Sequence, residues 1–76
     1  MEQITRTRPF TRTERANLDR MLGQALADSH TAHLLVVERS PALFDEFDVP
    51  AHIQGWLSRL PARTLKEIAQ AITYHP

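Results

Sequence analysis

The sequence predicts a mainly α-helical protein, a compact bundle of four or five short helices. Three observations carry this. Two amphipathic segments, Pro50 to Leu60 and Arg63 to Tyr74, are separated only by Pro61-Ala62, so they meet at a steep angle, as in helical hairpins and helix-turn-helix units. A capping box, Thr11 with Glu14, opens an apolar pattern at helical spacing. A Ser-Pro pair at positions 40 and 41 supplies a cap and a first-turn proline for a further helix.

Residues 1–9 alternate Ile4, Thr5, Arg6, Thr7, Arg8, which reads as a basic arm or a short strand. Phe10 precedes the Thr11 cap as a possible staple, and Leu18, Met21, Leu22, Ala25 and Leu26 then recur on one helical face. Gly23 interrupts that face at a cost of up to about 1 kcal/mol relative to alanine. The helix is expected to end near Ala27, with Asp28-Ser29-His30 as a loop.

The segment His33 to Arg39 contains Leu34-Leu35-Val36-Val37, an apolar run too short for periodicity to separate strand from helix. We read it as a helix from Thr31 to Arg39 burying Ala32, Leu35 and Val36. The β-branched valines keep an alternative open: an α+β fold with short strands at 3–8 and 33–39. Ser40-Pro41 then starts a helix over Ala42 to Phe47, and Asp48-Val49-Pro50 is expected to repeat the same device. Ile53, Trp56, Leu57 and Leu60 make the next apolar face, with Trp56 assigned to the core. Thr64 with Glu67 makes a second capping box ahead of Leu65, Ile68, Ala69 and Ile72. The expected organisation is therefore an arm at 1–9 and one helical domain over 10–76.

Composition narrows the function classes. The chain has 76 residues and no cysteine, so it has neither a disulfide nor a thiolate metal site. A core of this size supplies about 3–5 kcal/mol of net stability, which leaves a tight core, a partner or self-association to make up the rest; a homo-oligomer is the expectation. No apolar run approaches the roughly 18 residues of a membrane span, and no hydrophobic stretch follows the basic residues of the N-terminus. The expectation is a soluble cytoplasmic protein. Nine Lys and Arg balance nine Asp and Glu. The balance is uneven along the chain: Arg6, Arg8, Arg12, Arg15 and Arg20 lie at one end, Glu38, Asp45, Glu46 and Asp48 in the middle, and Arg59, Arg63 and Lys66 near the other end. A dedicated nucleic-acid domain is usually more basic than this.

Ser40 to Ile72 resembles the later part of a λ-repressor/Cro-type DNA-binding domain. The short helix would be Ala42–Phe47, the turn Asp48-Val49, the recognition helix Pro50–Leu60, and the closing helix Thr64-Leu65-Lys66-Glu67-Ile68-Ala69-Gln70-Ala71-Ile72. The resemblance covers under half of the chain, and Asp48 stands where the family has its turn glycine. It implies a dimeric transcription regulator in which His52, Gln54, Ser58 and Arg59 face the bases while Arg6, Arg8 and Arg12 hold phosphates. Asp45, Glu46 and Asp48 would repel phosphates beside that helix.

Catalytic and metal chemistry find no motif. His30 and His33 are three apart, while His52 and His75 lie far from them, so no zinc set is expected. Asp45, Glu46 and Asp48 lack the glycine and ligand spacing of a calcium loop. Gly23 and Gly55 are isolated, so there is no phosphate loop, and no serine sits in a nucleophile elbow. No enzyme activity and no cofactor are expected. What remains is a small regulatory protein that binds a host or cognate protein, in the style of phage- or mobile-element-encoded inhibitors and anti-activators. Its expected contact surface is Phe44, Asp45, Glu46, Phe47 and Asp48, with at least one ring near the surface as an anchor ringed by carboxylates that suits a basic groove; the alternative is that both rings are core.

Overall fold

The computed structural model describes residues 9–75. They form a bundle of five α-helices: α1 (Arg12–Ala27), α2 (Ser29–His33), α3 (Pro41–Glu46), α4 (Ala51–Arg59) and α5 (Leu65–Thr73). The expected helical class is the one found, and the described residues contain no strand. The expected strand at 3–8 lies outside the described residues. The alternative strand at 33–39 gives way to a helical segment: α2 continues into one widened turn, Leu34–Glu38, of the π form.

Local chemistry explains most boundaries. Thr11 Oγ1 accepts the Glu14 amide at 3.1 Å while Glu14 Oε1 accepts the Thr11 amide at 2.8 Å, a complete capping box. Ser40 caps α3 through the Leu43 amide with Pro41 in the first turn, as its Ser-Pro pair implies. Thr64 caps α5 through the Glu67 amide, but Glu67 Oε1 reaches one residue further back, to the Arg63 amide at 2.6 Å, so the second box is displaced by one position.

Three expectations need correction. Asp28-Ser29-His30 is not a loop: Asp28 caps α2, accepting from the His30 amide at 3.2 Å and the Thr31 hydroxyl at 2.8 Å. The break between α1 and α2 is thus one residue long. Asp48-Val49-Pro50 does not repeat the Ser-Pro device either. Asp48 takes the left-handed conformation (φ 56°), and the Val49 amide donates to the Phe44 carbonyl at 2.9 Å while the Asp48 amide donates to Asp45 at 3.1 Å. That is the Schellman closure of α3, with an aspartate in the place glycine usually takes and with Val49 and Phe44 buried together behind it. Finally, Leu26 is exposed, because the α1 face that packs inward centres on Leu18, Met21 and Ala25.

The core consists of those three residues with Leu35, Leu43, Phe44, Val49, Ile53, Leu57, Ile68 and Ile72. Every helix but α2 contributes to it, and α2 buries Thr31, whose hydroxyl is satisfied by Asp28. Ala32 and Val36, expected inside, are half-buried. Trp56 is also half-buried rather than central. It belongs to an aromatic cluster that joins the two ends of the described chain. Phe10 stacks on His75 with ring centroids 3.8 Å apart, and the Trp56 ring stands edge-on to both. Arg15 lies over Phe10 and donates to the Ile72 carbonyl at 3.4 Å, tying α1 to the end of α5.

Candidate functional site

The turn from α3 into α4 collects most of the chemistry the sequence singles out. The closure at Asp48 reverses the chain, so the end of α3 lies beside the first turns of α4. Gln54 spans the two: its Nε2 donates to Asp45 Oδ1 at 2.8 Å and to the Val49 carbonyl at 2.8 Å. Glu46 and Asp48 are exposed beside this bracket, as is Asp45. Phe44 is fully buried and cannot touch a partner, whereas Phe47 is half-buried with the Arg20 guanidinium over its ring at 5.8 Å. Of the expected contact surface, then, Phe47, Asp45, Glu46 and Asp48 face outward and Phe44 belongs to the core.

The residues assigned to DNA are differently placed. Arg6 and Arg8 lie outside the described residues. Arg12 is exposed at the start of α1. His52, Ser58 and Arg59 are exposed on α4, but both amide hydrogens of Gln54 are engaged within the chain and the Ser58 hydroxyl donates to the Gly55 carbonyl at 2.9 Å. His52 Nε2 stands 3.8 Å from Glu14 Oε2, across from α1. Base readout needs side-chain donors directed outward, and on this helix His52 and Arg59 are the groups left to supply them.

Among the described residues, no group of three or more His, Cys, Asp or Glu side chains is placed to hold a metal ion. His33 pairs with Glu38 at 3.1 Å across the widened turn, and His75 joins the aromatic cluster. Hydrogen bonds from the Thr31 hydroxyl, and secondarily from the His30 amide, hold the Asp28 carboxyl below its ordinary value. No helix among the described residues is long and apolar enough to cross a membrane.

The residue that sequence reasoning misses is Arg39. It too is left-handed (φ 50°), and it closes the widened turn. Its Nε donates to the Val36 carbonyl at 3.0 Å, Nη1 to the carbonyls of Leu57 and Leu60, and Nη2 to that of Ala62 at 2.6 Å. A cation here caps the C-terminus of α4 and holds the link to α5. The chain matches none of the family models, curated proteins or solved structures with which it was compared.

Proposed function

We propose that this protein is a small, non-catalytic, cytoplasmic regulator that binds and modulates a larger protein, in the style of phage- or mobile-element-encoded inhibitors and anti-activators. The observation that carries the reading is the edge at the α3–α4 turn, where Phe47 is half-buried beside the Arg20 guanidinium and its chain neighbours Asp45, Glu46 and Asp48 are exposed. A partly covered aromatic ring provides an anchor, and carboxylates around it give orientation and a faster approach to a basic partner. The acidic groups stand at the start of α4, where a phosphate backbone would have to approach. The test is affinity capture from a nuclease-treated lysate of the native host. A stoichiometric protein partner that Glu46→Lys fails to retain supports the reading; capture that depends on nucleic acid defeats it.

A second reading, a dimeric helix-turn-helix regulator, draws support from Asp48. At the position where the λ-repressor/Cro-type family has its turn glycine, this aspartate adopts the left-handed conformation that glycine favours. Retention on heparin with a steep salt dependence would favour it.

A further inference from the structure

Ala51, His52, Ser58 and Arg59 are exposed on α4, and with half-buried Gly55 they fall on one helical face. Charge runs along this face in one direction. Asp45, Glu46 and Asp48 are exposed ahead of its N-terminus; Arg59 ends it, and Arg63 and Lys66 follow, also exposed. Arg59 does not project past the helix. Its Nη1 lies 3.4 Å from where a Cβ on Gly55 would stand, so the cation lies across the face itself. At about 1.5 Å per residue, the length of α4 separates the acidic residues that precede it from Arg63 and Lys66 that follow it, with the Arg59 guanidinium between them over Gly55.

The geometry points to a second copy of this chain as the occupant of that face. Two α4 helices pack antiparallel about a two-fold axis, with the Asp45, Glu46 and Asp48 end of each against the Arg59 and Arg63 end of the other. Antiparallel pairing makes both ends complementary, whereas parallel pairing sets like charges together at both. A two-fold contact repeats each match, so one attractive pair counts twice. The equal totals of acidic and basic residues leave no net repulsion between copies. Ala51 and Ser58 are small, while the Arg59 side chain covers Gly55, so the facing helix meets that guanidinium along the middle of the face. One short helix per chain makes a small contact, so the dimer is weak and reversible. This inference shares the acidic edge with the proposed function, but its test contains no other protein, so either can fail alone.

The test is sedimentation equilibrium of the purified full chain from micromolar to near-millimolar concentration at low salt, with circular dichroism to confirm the fold of each variant. A monomer–dimer equilibrium that weakens as salt is added is expected. Glu46→Lys and Arg59→Glu, each placing like charges together twice, weaken it by about tenfold or more. The double variant Glu46→Lys/Arg59→Glu exchanges the two signs and restores dimerisation to within about threefold of the unmodified chain. A chain that stays monomeric throughout overturns the inference. So does a dimer that the single reversals leave unchanged, or that the double variant does not restore.

Discussion

The guanidinium of Arg39 donates to the carbonyl of Ala62 at 2.6 Å, joining the end of the widened turn to the link between α4 and α5. The same side chain also donates to the carbonyls of Leu57, which already accepts the Leu60 amide at 3.2 Å, and of Leu60 at the C-terminal end of α4. One planar group thus fastens the end of the widened turn to the end of α4 and the link that follows it.

Arg39→Ala removes the side-chain donor from the Val36, Leu60 and Ala62 carbonyls and leaves Leu57 with the Leu60 amide alone. Hydrogen bonds to a charged donor are worth about 1.5–3 kcal/mol each, and part of that is recovered by water at a half-buried site, so a loss of roughly 2–4 kcal/mol is expected. Arg39→Lys recovers less than half, because an ammonium cannot match the planar fork. Urea denaturation of the three proteins checks both; equal midpoints for the wild type and Arg39→Ala would refute the assignment.

Backbone conformation yields a second expectation. Asp48 occupies the left-handed region, where a residue with a Cβ is less stable than glycine by about 1 kcal/mol. Asp48→Gly should therefore hold or raise stability. Gly23 lies within α1 with nothing within 4 Å of an added Cβ, so Gly23→Ala should stabilise by about 0.5–1 kcal/mol. Thermal unfolding reads both. Destabilisation by Gly23→Ala would mean that α1 is packed differently from the described bundle.

The sequence is most legible where a signal is local. Thr11 with Glu14 and Ser40 with Pro41 need only neighbours three residues away, and both caps form where their pattern places them. Short, mixed signals are less legible. Asp28 reads as loop because its partners, His30 and Thr31, follow too closely to show a separate helix. Arg39 shows no signal for its role at α4, since the carbonyls it holds there and in the link lie 18 to 23 residues away along the chain. Phe44 and Phe47, three apart on a two-turn helix, cannot be ranked for burial by spacing alone; the Schellman closure decides it by placing Val49 against Phe44.

Acid should act through Asp28. Its carboxyl is held below its ordinary value of 3.8 in the folded protein, so the folded state favours the ionised form. The resulting stability is fully present above that ordinary value and is lost as pH falls through the lower folded value. Asp28→Asn removes this component, so the difference in stability between wild type and variant should be constant near neutral pH and shrink in acid. A difference that does not change with pH would contradict the account.

The aromatic cluster gives an optical readout. Phe10 and His75 cover the half-buried Trp56 ring. Phe10→Ala should shift Trp56 emission to the red and cost about 1–2 kcal/mol, the loss of ring pairs and partial burial. Trp56→Ala should cost less than the roughly 3–5 kcal/mol of a fully buried aromatic. Unchanged emission in Phe10→Ala would mean that the N-terminal end does not cover the indole.

The most direct measurement of the central claim is the affinity of the captured partner for two charge reversals at opposite ends of the molecule. Glu46 is exposed at the end of α3, with no side-chain hydrogen bond to another of the described residues, and Lys66 is exposed in the first turn of α5. By isothermal titration, Glu46→Lys should weaken binding by about tenfold or more, while Lys66→Glu leaves it within about twofold. Equal affinity for the wild type and Glu46→Lys, with loss confined to Lys66→Glu, would place the partner at the basic end and contradict the account.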